Sequence, residues 1–371
     1  MKAKEVAPDE VSTKWRRLVG RRSFLKGVGA VSATLPAGVL LATKVQAAAT
    51  LPEGDIAILR FLAAAEIIES DLWEQYTELG GAPLDNGSTT GRNAAYVKAL
   101  SNIDGDMPQY ITDNTEDEFT HADFINAYLQ AHGAPTVSLE KFRTLSGSTA
   151  TGATKKKRLT NLQKLDVDTS WYTRYRSNEN PDFGFSPAQL LKITGRPAIP
   201  RTDADTVDPN RIQAIADTAA FHFAFIEQGG SSLYTTMALK ATSLEVLRIV
   251  ISIGGVEVDH FSLWHDKVAN AVGSAHATDN GPGLKPVSFP DLSGRMDPLV
   301  QTNKILPEPC DFISESLPEV SVIRPSTVKN SGAMAAVKAF RDDKLFAGQS
   351  QEFLDTVTKL ARAADDAERE V

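Results

Sequence analysis

Several things are scarce in this chain. Its 371 residues include one cysteine, Cys310, and six histidines. A single thiol permits no internal disulfide and no thiolate metal cluster. Net positive charge is absent from the body of the sequence. The whole chain carries −8, and the first 47 residues, with nine Lys/Arg against three Asp/Glu, carry +6, so the remainder carries −14. That balance argues against a nucleic-acid partner and suits a soluble protein that attracts cations. No uninterrupted apolar run reaches the ~20 residues of a membrane span. With 42% hydrophobic and 23% charged residues, the composition is that of a globular protein large enough for one or two cores.

What is present begins with an address. Arg21-Arg22-Ser23-Phe24-Leu25-Lys26 is a twin-arginine pair with its usual companions. A mildly apolar stretch from Gly27 to Thr43, broken by Pro36, leads to the small-residue sequence Val45-Gln46-Ala47. Residues 1–47 resemble a bacterial twin-arginine (Tat) signal peptide. The resemblance implies export to the periplasm or beyond, with no stable membrane span after processing.

The body reads as four long helices. The first, over 51–79, has Ile56, Leu59, Leu62, Ala63, Glu66, Ser70 and Trp73 at 3–4 spacing. A short helix is expected from Asn93 to Leu100. The second long helix is expected from about Thr112 to His132, ahead of Gly133-Ala134-Pro135. The third opens at Asp208-Pro209, a good N-cap and first helical residue, and runs to about Leu239. The fourth opens on Thr242-x-x-Glu245, a capping-box pattern, and ends near Gly273. Residues 136–208 form a long crossover between the second and third. Lys155-Lys156-Lys157-Arg158 within it reads as a solvated basic turn. After an irregular stretch, apolar periodicity returns at Ala333–Arg341 and Ser350–Arg369. The expected domains are thus 1–47, 48–273 and a C-terminal extension, 274–371, whose helices pack on the bundle or mediate contact in a homo-oligomer.

Chemistry-bearing residues interrupt the apolar faces. Glu257 and His260 are three apart, hence on one helix face, among Val256, Val258 and Phe261. The same Glu-x-x-His spacing recurs at Glu118 and His121. Single carboxylates, Glu66 and Glu227, break the first and third helices. Each has a serine four residues on (Ser70, Ser231) and an aromatic seven on (Trp73, Tyr234). Two Glu-x-x-His helices and two single-Glu helices make up the ligand set of a carboxylate-bridged di-metal bundle. Oxygen and imidazole donors suit iron, manganese and zinc. Four carboxylates would neutralise two divalent ions, with Glu118 and Glu257 bridging and Glu66 and Glu227 capping. Without ions the carboxylates would repel and take up protons or admit water. Two points stay open here. Glu69 competes with Glu66, and Glu118 also fits a capping box with Thr115.

The segments Leu51–Leu79, Glu118–Leu129, Ala219–Tyr234 and Glu257–His265 resemble the four helices of bacterial ferritin-like domain proteins, specifically the exported group that includes desiccation-related proteins. The resemblance covers about residues 51–270. It implies an all-α, ferritin-like four-helix bundle with one long crossover between the second and third helices. It also implies a centre of two Fe or two Mn ions on Glu66, Glu118, His121, Glu227, Glu257 and His260. Trp73 stands where relatives commonly have Tyr, which leaves Tyr234 as the phenol in the corresponding position.

The expected activity is redox chemistry with peroxide or dioxygen, of ferroxidase, peroxidase or catalase type. The alternative is a non-enzymatic envelope protein protecting against stress or desiccation, with a structural or vestigial metal site. A storage cage is disfavoured, because the chain is about twice a cage subunit in length.

Overall fold

In the computed structural model, residues 50–82, 92–169, 193–273, 278–279, 287–288, 313–320 and 332–370 are described. The twin-arginine segment, Cys310 and the loop Asn180–Gly184 lie outside them. Helix α1 spans Glu53–Gly80, α2 Ala94–Ile103, α3 Met107–Ala131, α4 Pro209–Ala238, α5 Leu244–Gly273, α6 Ala333–Asp342 and α7 Gln351–Asp365. Among the described residues, strand is confined to the two-residue antiparallel pairs β1 (Leu145–Ser146) with β2 (Lys157–Arg158) and β3 (Thr278–Asp279) with β4 (Val287–Ser288). The protein is all-α.

Four helices form the bundle. Helix α1 packs on α3, and α4 packs on α5. Each exceeds the length at which local hydrogen bonding alone carries a helix, and packing of apolar faces supplies the rest. Both α1 and α4 are buried over most of their circumference. For α1 the reason is that α7 covers it as well as α3, and α2 packs against α4. The segments after residue 330 therefore fold onto their own bundle. Their apolar residues Val337, Phe340, Phe353, Val357 and Leu360 are buried. Among the described residues, large exposed apolar side chains sit instead on α3 (Phe119, Phe124) and α5 (Leu244, Ile251).

Helix starts follow side-chain chemistry. Asp208 caps α4 by accepting from the amide of Asn210 at 2.9 Å, with Pro209 next. Asn93 caps α2 by accepting from Tyr96 at 3.0 Å. At α5 the expected capping residue is displaced by one. Ser243, not Thr242, accepts from the amide of Val246 at 3.1 Å. The amides of Thr242 and Ser243 both donate to the buried carboxylate of Asp55 on α1, at 2.8 Å each. Ser243 is thus the local cap, and Asp55 takes the amides just before the helix, the place a capping-box glutamate would fill.

Helix α3 departs further from expectation. It begins at Met107, with Pro108 in its first turn, rather than at Thr112. Thr115 is therefore interior, and its hydroxyl bonds the carbonyls of Ile111 at 2.6 Å and Trp73 at 3.2 Å. There is no capping box at Thr115–Glu118, and Glu118 sits about three turns into the helix.

In the crossover the basic turn is also corrected. Arg158 is 1% exposed. Its guanidinium pairs with Glu74 at 2.6 Å and with Glu78, both on α1. Next to it, Asp71 on α1 accepts from the amides of Leu159 and Thr160 at 2.9 and 2.8 Å. Buried donors and acceptors must be paired, and these pairs hold the crossover across the bundle.

Candidate metal centre

The bundle brings Glu66 (α1), Glu118 and His121 (α3), Glu227 (α4), Glu257 and His260 (α5) to one buried place. Their donor atoms fall into two groups. Glu66, Glu118, His121 and Glu257 form one, and Glu118, Glu227, Glu257 and His260 the other. Within each group the atoms lie within 4.8 Å of one another. Glu118 and Glu257 belong to both. Glu69 is buried nearby but adds no donor atom to either group. It lies about 60° round the helix from Glu66.

Both imidazoles aim Nδ1 into the cluster. His121 Nδ1 is 3.3 Å from Glu66 Oε2, 3.4 Å from Glu118 Oε2 and 3.3 Å from Glu257 Oε1. His260 Nδ1 is 3.2 Å from Glu118 Oε1 and 3.4 Å from Glu227 Oε2. The opposite nitrogen of His260, Nε2, faces Asp117 at 3.3 Å. A carboxylate behind a ligating imidazole fixes its orientation and tautomer.

The donor atoms fit a cation better than they fit one another. Glu66 Oε2, Glu118 Oε2, Glu227 Oε2, both oxygens of Glu257, His121 Nδ1 and His260 Nδ1 are buried without a well-directed hydrogen bond. Stranded buried polar atoms are rare, and each costs free energy. Separations near 3.3 Å equal the edge of a coordination shell whose bonds are about 2.0–2.3 Å, the range of first-row and other divalent ions. Oxygen and imidazole donors without sulfur suit first-row divalent ions such as iron, manganese and zinc.

Proton equilibria of the metal-free cluster point the same way. Burial, then neighbouring carboxylates led by Glu118, raises Glu257 well above the ordinary carboxyl range. Glu69 is likewise raised, by burial and then by Glu257, Glu118, Glu66 and Glu227. Burial and Glu66 push Glu118 up to about 7. Burial works against charge on His121, but Glu66, Glu118 and Glu257 together raise it far above the ordinary imidazole value. Burial likewise opposes charge on His260, and Glu227, Asp117 and Glu118 outweigh it. Burial also raises Glu66, but its net shift is downward because of His121. Glu118 and Glu257, the two carboxylates common to both groups, thus favour their protonated forms unless cations replace the protons.

The surrounding shell contains Trp73 and Tyr234, which the sequence singled out, and Asn114, Trp264 and Gly230, which it did not. Asn114, one turn before Glu118, donates to Glu118 Oε1 at 2.8 Å and to Glu227 Oε1 at 3.2 Å. Its own carbonyl accepts from Trp264 Nε1 at 2.7 Å. Trp73 Nε1 donates to Glu227 Oε1 at 3.0 Å, and the Tyr234 hydroxyl donates to Glu66. Gly230 has no side chain for a steric reason. A β-carbon there would collide with Oε2 of Glu257. Trp73 and Tyr234 were marked by their seven-residue spacing from Glu66 and Glu227; of the others, only Asn114, four residues before Glu118, carried a hint in the sequence.

A four-helix bundle with a buried carboxylate–histidine cluster compatible with a metal site is the class of protein that this fold and site define. A model of the ferritin-like domain matches residues 54–270, more than half of the chain, and the chain belongs to that family. No curated protein and no solved structure matches it.

Proposed function

We propose that the cluster holds two iron or manganese ions and that the protein carries out redox chemistry with peroxide or dioxygen. The observation that carries this reading is the pair of four-residue donor groups sharing Glu118 and Glu257. One group alone would suit a structural ion. Two groups with common carboxylates suit a bridged pair. Such a pair, when bound, would supply electrons to a small oxidant.

The chain's own residues would do the rest. Glu66 and Glu227 would cap one ion each, and His121 and His260 would complete the two shells. Asp117 would orient His260, and Asn114 would keep Glu118 and Glu227 in register. With His121 and His260 only 6% and 7% exposed, the site would admit a small oxidant and exclude a large substrate.

Elemental analysis of protein produced with ample iron and manganese tests the reading. About two ions per chain are expected by the donor count, and fewer than one would overturn it. Peroxide or dioxygen turnover by that same sample separates an enzyme from a protective protein with a structural metal.

The reading extends to location. The Arg21-Arg22 sequence and the +6 charge of the first 47 residues support twin-arginine export of a folded, metal-loaded protein. Among the described residues no helix is long and apolar enough to cross a membrane. Replacing Arg21 and Arg22 by Lys should keep the protein in the cytoplasm, and unchanged export would contradict this.

A further inference from the structure

Beyond the ligands, α1, α4 and the C-terminal extension share a second buried polar group. The Tyr76 hydroxyl lies 2.7 Å from His222 Nδ1, and His222 Nε2 lies 2.9 Å from Asp343 Oδ2. Tyr76 and His222 are 0% exposed and Asp343 is 1% exposed. Donation from Nε2–H to Asp343 leaves Nδ1 free to accept from the phenol. Asp343 directly follows α6, outside the segment 54–270 that the ferritin-like domain covers.

This group is joined to the cluster. The rings of Tyr76 and Trp73 are 5.7 Å apart, centre to centre, and Trp73 Nε1 donates to Glu227 at 3.0 Å. Phe223 packs on both, 4.9 Å from Trp73 and 4.6 Å from Tyr76. Trp264 stacks on Trp73 at 5.4 Å. The order Glu227, Trp73, Tyr76, His222, Asp343 is thus a continuous dry path from the cluster to a phenol with a waiting proton acceptor. A purely structural role explains it poorly. Replacing a buried, charged hydrogen-bonded trio with apolar side chains of similar size is often neutral or stabilising. The path also lies on one side of the bundle only. Among the described residues the Tyr234 hydroxyl bonds the Glu66 carboxylate directly, with no imidazole between them.

We propose that Trp73, Tyr76, His222 and Asp343 form a relay that draws one-electron oxidising equivalents from the centre and holds them on Tyr76 as a neutral phenoxyl radical. This rests on the reading of the cluster as a metal centre that meets peroxide. Hydrogen peroxide takes two electrons and two solvent protons to become two waters. When only one of those electrons comes from the metal pair, the second comes from Tyr76, passing through the Trp73 ring and its hydrogen bond to Glu227. The Tyr76 O–H bond breaks, and its proton moves 2.7 Å to His222 Nδ1. The products are a phenoxyl radical and an imidazolium. Asp343 is a positioning residue that holds the imidazole and stabilises its positive charge. Burial holds Tyr76 well above the ordinary phenol range, so loss of the proton without loss of the electron is disfavoured.

Rapid freeze-quench electron paramagnetic resonance tests the relay. Metal-loaded, reduced protein is mixed with hydrogen peroxide, and metal content and visible absorption are recorded on the same sample. A radical signal that narrows when the tyrosines carry ring deuterium is expected. Tyr76→Phe should lose it, Tyr128→Phe, whose ring lies against His132 and not against the cluster, should keep it, and Asp343→Asn should lower its yield with metal content unchanged. Metal bound and oxidised with no radical, or a signal of the same yield in Tyr76→Phe, overturns the relay alone. Absence of bound metal overturns the reading of the cluster and the relay with it.

Discussion

The indole of Trp73 on α1 donates to Glu227 on α4, 154 positions along the chain, at 3.0 Å. Tyr234, on the same helix as Glu227, donates back to Glu66 on the helix of Trp73. Each aromatic stands seven residues after one of these two cluster carboxylates and bonds the other. The relation holds each carboxylate from the opposite helix, so the spacing of α1 and α4 bears directly on the cluster.

Trp73→Phe keeps the ring and removes the donor. Loss of such an outer partner typically weakens metal binding about 10–100-fold. Titration against a competing chelator should show that loss, with a similar one for Asn114→Leu. Affinity equal to that of the parent protein would show that Glu227 is positioned by other means.

Two adjacent glycines should behave in opposite ways. At Gly229, exposed and with open space around it, alanine removes a helix-interior glycine and should stabilise by about 0.5–1 kcal/mol. Alanine at Gly230 meets Oε2 of Glu257 and should displace a shared carboxylate, lowering the bound metal below the parent's level. Thermal melts read the first and elemental analysis the second. Full metal content in Gly230→Ala would contradict the assignment of Glu257.

Stability of the metal-free protein should fall as pH rises. Glu118, displaced from 4.5 to about 7 in the fold, binds its proton more tightly folded than unfolded. Its contribution is complete below the lower value and disappears as pH rises through the higher one. Glu257 and Glu69, also raised, act in the same sense, as do His121 and His260. Glu66, lowered, acts the opposite way, as do Glu74, Asp104 and Asp205, but a lowered carboxylate changes stability only below its ordinary range, more acid than this interval. Melting temperatures between about pH 5 and 8 should decline without metal. The rise in melting temperature on adding metal should grow over the same interval, because protons compete for the ligands. A metal-free melting temperature that rises with pH would refute this.

Arg158→Ala should cost roughly 3 kcal/mol, since it removes the buried guanidinium that pairs with Glu74 and Glu78 and leaves the crossover less firmly tied to α1. Denaturant unfolding measures the loss. The double variant with Glu78→Ala should recover part of it, and strictly additive losses would mean that the pair is uncoupled.

The helices were legible because their apolar spacing is local. A 3.6-residue repeat shows in the order of residues whatever surrounds it, and so does the position of a carboxylate within it. That is why Glu66, Glu118, Glu227 and Glu257, with His121 and His260, could be picked out before any fold was known. The start of α3 was not legible. Asp106 and Pro108 are residue types that helix starts favour, but Asp106 makes no side-chain cap, and Thr115 looked like a cap because the contact it makes with Trp73 is tertiary.

The sequence by itself determined an all-α chain, the order of its long helices and six residues on faces able to meet. Only the tertiary structure chose Glu66 over Glu69 for the cluster, because both are buried glutamates and their difference is rotation about α1. Only packing crossed Trp73 to Glu227 and Tyr234 to Glu66, buried Arg158 from an apparently solvated turn, and brought Asp343 to His222. These are contacts between distant segments, and their partners carry no periodic signature. Burial of charge is decided by what covers a residue, and the covering residues lie elsewhere in the chain.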